Sequence, residues 1–376
     1  MTIGILGGGQ LGRMLVLAGY PLGLSFRIFE PAEESSAAQI ASRIRAEYDD
    51  YQSLYHLSQN TDVITYEFEN VPTQTAKWLS ERVPIFPGVQ ALTISQDRIL
   101  EKSFFRDLGI RVPRFVAVEN EQQFRAGVDS IGLPLVLKTT RFGYDGKGQM
   151  IIRQPADLAT AWTKLGGRPL ILEELVPFDR ELSLISVRRK NGDIAYYPLV
   201  ENHHHEGMLA QTIAPAPSCS TKLQQLAEQM ARTTLEALNY VGVLAIEFFQ
   251  IGEELWVNEM APRVHNSGHW TIEGAVTSQF ENHLRAILDW PLGSTAVIRP
   301  TAMINLIGCH PFAENALALP GIAWHWYGKS VRKNRKLGHI TICANSESER
   351  QFLIEKIKSL QLQIEKNNPL VADLKT

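Results

Sequence analysis

The sequence predicts an α/β fold, α+β in part, divided among two or three domains. Three observations carry this. The chain opens on a strand, a glycine turn, a helix and a second strand, the start of a mostly parallel sheet. From about residue 95 the pattern changes to strands joined by short turns, with helices between them. The 376 residues also exceed a single core at about 150 residues per domain.

The elements follow in order. Thr2–Leu6 and Ser25–Phe29 read as strands around a helix from about Gln10 to Gly19, and Val63–Glu67 reads as a third strand. A helix around Thr73–Arg82, a short strand and turn at Pro84–Pro87, and a helix around Asp97–Leu108 ending at Gly109 come next. Beyond the change, Val112–Ala117, Pro134–Lys138, Met150–Ile152 and Leu170–Glu174 read as strands, with helices over 121–131 and 156–166. Glu181–Arg189 and Ala195–Val200 read as strands, Leu223–Leu238 as a helix. Val243–Phe249 and Glu254–Glu259 form a hairpin through Ile251-Gly252-Glu253. Strands at Thr301–Ile307 and His339–Ala344 and a helix over Glu347–Leu360 close the chain.

Composition narrows the function. Charge sums to −3, which disfavours a general nucleic-acid or anionic-membrane binder but leaves room for a local basic pocket. The three cysteines, Cys219, Cys309 and Cys343, are scattered and form no CxxC pair, which points to a reducing compartment. No apolar run reaches the ~18 residues of a membrane span, so the expectation is a cytoplasmic protein with neither nucleic acid nor membrane as partner.

Six motifs carry chemistry. Gly7-x-Gly9-x-x-Gly12 follows a strand, opens a helix and has Glu30 at the end of the next strand, which is the dinucleotide fingerprint; the plain alternative is a packing turn. Lys138 ends an apolar strand and leads into a loop holding Gly143, Gly146, Lys147 and Gly148, whose N–H groups can face phosphate oxygens. Glu173-Glu174-Leu175-Val176 and Glu181 could meet an adenine and a ribose, or be surface acids. Glu247 and Glu259 fall nearly opposite each other on the hairpin, with Asn258 alongside, a hard oxygen set suited to Mg²⁺ on substrate phosphates. Exposed cross-strand acids would instead repel. Arg263 to His269 form a polar loop directly after the metal strand. Lys329, Arg332, Lys333, Arg335 and Lys336 make an anion site or a solvated face. Of His203-His204-His205, at most one histidine is expected to function.

Gly7 to Met14, Gln96-Asp97-Arg98, Gly143 to Gln149, Glu201 to His204, Asn258 to Arg263 and His265 to His269 recur in order in a known family. From about residue 2 to about residue 355 the chain closely resembles the N5-carboxyaminoimidazole ribonucleotide synthetases, ATP-grasp enzymes of purine biosynthesis. The resemblance implies a Rossmann-like domain over 1–95, an ATP-grasp domain over 96–299 with a lid subdomain at about 112–176, and a C-terminal domain over 300–376. It implies ATP, aminoimidazole ribonucleotide and bicarbonate as substrates, Mg²⁺ (or Mn²⁺) as metal, and a homodimer.

The same resemblance implies the roles. Arg98 and Lys138 meet the ATP phosphates, and Gly143, Tyr144, Asp145, Gly146, Lys147, Gly148 and Gln149 form the lid loop. Glu173, Glu174, Leu175 and Val176 hold the adenine, and Glu181 and His204 the rest of the nucleoside. Glu247 and Glu259 ligate the metal beside Asn258. Tyr144, Asp145, Lys147 and Asn266 face the ribonucleotide, whose phosphate sits on Lys329, Arg335 and Lys336 near Gln10 and Leu11. Arg263 serves bicarbonate, and Asp145 or His265 takes the amine proton. Three positions depart from the family: Phe142 for glycine, Val264 for proline, and Lys333-Asn334 for Pro-Gly. Competing readings are an ATP-grasp ligase with another acceptor, an NAD-dependent dehydrogenase and a non-catalytic nucleotide sensor.

Overall fold

Thr2–Leu6 (β1), Ser25–Phe29 (β2), Ser42–Ile44 (β3) and Val63–Tyr66 (β4) form a parallel sheet in the order β3-β2-β1-β4. The pair β1 and β4 is almost wholly buried because both faces are covered. Ile3 and Ile5 pack with Met14 and Leu15 of the helix Gln10–Gly19, while Leu6, Ile64 and Tyr66 pack with Leu54, Leu57 and Leu79 of the helices Tyr51–Gln59 and Thr73–Ser80. The computed structural model describes residues 1–143, 146–309 and 311–367.

A second, antiparallel sheet holds Phe115–Val118 (β5), Leu135–Thr139 (β6), Gln149–Ile152 (β7) and Leu170–Glu174 (β8) in the order β5-β8-β6-β7. The helices Glu121–Ile131 and Asp157–Leu165 seal it through Phe124, Ala161 and Leu165.

The third sheet has nine strands: Arg180–Arg188 (β9), Ile194–Tyr196 (β10), Val200–His205 (β11), Met208–Ala214 (β12), Gly242–Ile251 (β13), Glu254–Ala261 (β14), Thr301–Ile307 (β15), Ile322–Trp326 (β16) and Lys336–Cys343 (β17). Its order is β14-β13-β9-β11-β12-β15-β17-β16, with β10 beside β9. β15 pairs with β12, so the strands after residue 300 continue the central sheet rather than starting their own.

Several local expectations change. Ala195–Val200 is two strands, β10 and β11, separated by Tyr197–Leu199, where the buried Tyr197 hydroxyl donates to the Thr277 carbonyl. Pro84–Pro87 is a single bridge, Ile64 to Ile85, because Pro84 and Pro87 lack the N–H groups a longer ladder needs. The short strand β3, the hairpin arm β12, the edge strand β16 and the helices Tyr51–Gln59, Val89–Ser95 and Gln279–Ile287 lacked a clear sequence signal.

One hydrophobic cluster joins all three parts of the chain: Met14 and Phe26 pack with Val243, Phe280 and Leu284 and with Met303 and Tyr327. Gly19 lies against this seam, and a Cβ there would come within 2.2 Å of the Phe26 ring and 3.1 Å of Leu284 Cδ1. Leu284→Ala is therefore expected to cost about 2–5 kcal/mol and to lower the thermal midpoint of the whole chain. An unchanged midpoint in a calorimetric scan would show that the seam carries no stability.

Candidate active site

The helix Arg98–Asp107 starts where Asp97 accepts from the Ile99 and Leu100 backbone N–H groups, at 3.0 and 3.3 Å. Arg98, Glu101 and Lys102 are three and four positions apart and so share one face. Arg98 Nη2 donates to the Gly143 carbonyl (3.3 Å) and lies 3.9 Å from Glu259. The buried Glu101 accepts from Met260 N (2.7 Å), and the buried Lys102 ammonium donates to the Asn258 carbonyl (2.6 Å). Lys102 also lies 3.7 Å from Glu173, whose carboxylate accepts from Lys138 (2.9 Å). Burial works against the Glu173 charge, but the two lysines hold its carboxyl down at about 2. The Glu174 carboxylate is taken by Arg114 at 2.6 and 2.8 Å. Both acids at the end of β8 are thus committed within the protein.

A cavity of about 400 Å³ opens between this helix, the glycine turn and the hairpin β13–β14. Glu247 and Glu259 are register partners across that hairpin and both line the cavity. Between them the pairing jumps from Glu259 to Val257, leaving Asn258 as the extra residue of a bulge, a device that re-aims strand side chains. Burial, and then the facing Glu259, raise the Glu247 pKa. Two hard oxygen donors repelling across one cavity fit Mg²⁺, which keeps several waters and few protein ligands. Glu181 and His204 meet at 2.7 Å. Burial opposes charge on His204, yet the Glu181 hydrogen bond and Glu247 raise its pKa. A bulge between His203 and His204 separates the first two histidines of the run, and His203 turns to Glu201 instead (3.0 Å).

Arg263, His265 and Asn266 line the same cavity. The Arg263 guanidinium is ion-paired with Glu69, a residue no sequence motif had marked, and donates to the Val264 carbonyl. His265 Nε2 lies 3.4 Å from Glu247, and burial followed by the Arg263 cation holds the ring neutral. Asn266 is clasped by the buried amide of Asn305.

The glycine fingerprint is filled from within. Gly9 N and Gly12 N donate to Glu67 at 2.7 and 3.1 Å, and Gly8 N donates to Glu30 at 2.7 Å. An added Cβ on Gly9 would come 2.5 Å from Glu67 Oε1. The anion that such a helix start attracts is therefore the protein's own carboxylate, and the place of a dinucleotide pyrophosphate is taken. Glu30 binds the turn instead of a ribose.

The basic run divides. Lys329 donates to Gln10, which lines the cavity together with Leu11 and Lys336. Arg335 pairs with Glu34 at 2.8 Å, a carboxylate that also accepts from Ser330 N. The turn before Arg335 places Asn334 at φ 57, and asparagine is the non-glycine residue best suited to that conformation. The Phe142 departure is costlier: it sits at φ 60 with its ring 72 % exposed. Val264 is simply buried in the core. In the lid loop, Gly146 and Gly148 adopt φ 74 and 71, Gln149 begins β7, and Tyr144 and Asp145 lie outside the described residues.

Residues 103–280 match the model of an ATP-grasp domain, residues 1–96 that of a ribonucleotide synthetase preATP-grasp domain, and residues 301–351 that of a phosphoribosylaminoimidazole carboxylase C-terminal domain. Fold and site thus define an ATP-grasp protein. The chain is 48% identical over 360 residues to the N5-carboxyaminoimidazole ribonucleotide synthase of Pseudomonas aeruginosa, covering 96% of this chain and 99% of that one. The crystal structure of N5-carboxyaminoimidazole ribonucleotide synthetase from Thermus thermophilus superimposes with a TM-score of 0.92 at 51% identity, over 95% of this chain and 98% of that one. The Aspergillus clavatus N5-carboxyaminoimidazole synthase in complex with ADP and 5-aminoimidazole ribonucleotide does so at 0.88 and 32%, over 95% and 98%. The chain belongs to the N5-carboxyaminoimidazole ribonucleotide synthase family.

Lys102→Met tests the buried cluster. It leaves Glu173 buried with one cation fewer, and is expected to cost about 3–5 kcal/mol and to weaken ATP binding. Lys102→Met with Glu173→Leu is expected to recover stability but not ATP affinity. Wild-type melting of the single variant would refute the coupling.

Proposed function

We propose that this chain uses ATP and bicarbonate to carboxylate the exocyclic amine of 5-aminoimidazole ribonucleotide, giving N5-carboxyaminoimidazole ribonucleotide, ADP and phosphate in de novo purine biosynthesis. The observation that carries this reading is one cavity lined by the Glu247/Glu259 pair, Arg98, Arg263, His265 and Lys336. A dehydrogenase leaves these unexplained, and Glu67 already occupies the glycine turn.

Bicarbonate is a poor nucleophile and a carboxylate a poor electrophile, so phosphorylation to carboxyphosphate supplies a leaving group. Lys138, Arg98 and the backbone N–H groups of the lid loop bind the ATP phosphates and act on the charge that develops in transfer. Mg²⁺ (or Mn²⁺) held by Glu247 and Glu259 would supply charge neutralisation on the same phosphates. The backbone of 173–176 holds the adenine, and Glu181 with His204 the ribose. Arg263, aimed by Glu69, holds bicarbonate and then carboxyphosphate. Lys329, Arg335 and Lys336 seat the ribonucleotide phosphate beside Gln10 and Leu11, while Asn266, Tyr144 and Lys147 orient its base. The amine attacks the activated carbon, or CO₂ released from it, and loses a proton, for which Asp145 and His265 are the two candidate acceptors. Closure of Gly143–Gln149 keeps water from the intermediate. The working frame is three domains divided near residues 95 and 300, acting as a cytoplasmic homodimer.

Phosphate release from ATP is expected only when ribonucleotide and bicarbonate are both present; release with neither, or none with both, overturns the assignment. Glu259→Ala is expected to lower kcat about 10³-fold or more with an unchanged circular dichroism spectrum, and retained turnover would remove the metal pair.

Burial pushes the Lys329 pKa down to about 8, so its charge is present below that value and lost above it. A substrate phosphate is already fully ionised there, with its second pKa near 6. KM for the ribonucleotide is therefore expected to rise severalfold as pH passes through about 8. Lys329→Arg, which stays charged, is expected to flatten the rise. A flat wild-type profile would remove Lys329 from the phosphate site.

A further inference from the structure

The Ser267 backbone N–H donates to His265 Nδ1 at 3.3 Å. A backbone amide nitrogen can only donate, so Nδ1 presents a lone pair, and the hydrogen of the neutral ring sits on Nε2. The Ser267 hydroxyl lies 2.9 Å from the same nitrogen and, meeting a lone pair there, also donates to it.

A buried chain of donors stands behind that hydroxyl. Ser183 Oγ donates to Ser267 Oγ at 2.8 Å, Asn202 Nδ2 to Ser183 Oγ at 3.0 Å, and Thr212 Oγ1 to Asn202 Oδ1 at 2.9 Å. Ser183, Ser267 and Thr212 are fully buried, and Asn202 is 4% exposed. Reversing one member would leave a buried donor facing a donor. The chain runs across strands β12, β11 and β9, and Ser183 sits in register beside Glu247. At its far end His265 Nε2 faces Glu247 at 3.4 Å inside the cavity.

We propose that Ser267, Ser183 and Asn202 are positioning residues that lock His265 as the Nε2–H tautomer, so that His265 is a hydrogen-bond donor to the cavity and not the acceptor of the amine proton. With Nε2 already protonated and the Nδ1 lone pair held by two donors, the ring has no free site for that proton. The base is then another group. The kinetic consequence rests on the carboxylation reading; the tautomer itself does not.

The test is ¹⁵N–¹H NMR of the full chain labelled in its histidine rings, with the His265 signals assigned by their loss in His265→Asn. The expected wild-type spectrum shows one neutral tautomer, protonated at Nε2 and bare at Nδ1. A proton on Nδ1, or a mixture, overturns the proposal whether or not any variant folds. Ser267→Ala keeps the backbone N–H and with it the Nε2–H tautomer, but frees the ring from the hydroxyl chain, and is expected to lower kcat about ten- to a hundredfold, with KM for ATP within about twofold of wild type. Ser183→Ala is expected to act in the same direction and less. Wild-type kcat in Ser267→Ala would equally overturn the positioning role. No phosphate release under any condition, with the Nε2–H ring intact, would remove the carboxylation reading and uphold the lock.

Discussion

A buried ammonium organises this protein. Lys102 sits where an unpaired charge would be prohibitively expensive, so its partners must reach it. Glu173 arrives from the second sheet and the Asn258 carbonyl from the β13–β14 hairpin. That requirement ties the second sheet to the candidate metal strand. The neighbouring residues of the same helix face complete the junction: Glu101 holds Met260, and Arg98 holds the lid loop at Gly143. Lys138 then owes its place to Glu173, which two cations share.

Carboxylates of the N-terminal part do comparable work at the other wall of the cavity. Glu67 satisfies the free N–H groups of the glycine turn, Glu69 aims Arg263, and Glu34 holds Arg335. A chain of net charge −3 can thereby offer cations to anionic substrates, because its acids are spent on orienting those cations. The His265 tautomer belongs to the same pattern, in which backbone and hydroxyl donors settle what the reacting group can do.

How much of this was legible depended on range. The β1–helix–β2 unit and the β13–β14 hairpin rest on local periodicity and turn chemistry, and both stand where the sequence places them. The facing of Glu247 and Glu259 followed from counting around Gly252, although the bulge that displaces Asn258 did not. β3 and β16 carried too short or too mixed a pattern to be read. Glu67, Glu69 and Glu34 look like ordinary acids in sequence, since their partners lie 55 to 301 positions away.

The sequence by itself determined the family, the order of most of its strands and helices and the residue types of the site, because ordered motifs and short-range periodicity are written along the chain. Only the tertiary structure decided which carboxylates are committed to lysines, arginines and glycine N–H groups and which face the cavity. It also decided that the strands after residue 300 extend the central sheet and that His265 presents Nε2–H. Those outcomes turn on burial and on contacts between distant segments, where the cost of an unpaired charge or an unmade hydrogen bond selects one partner among many.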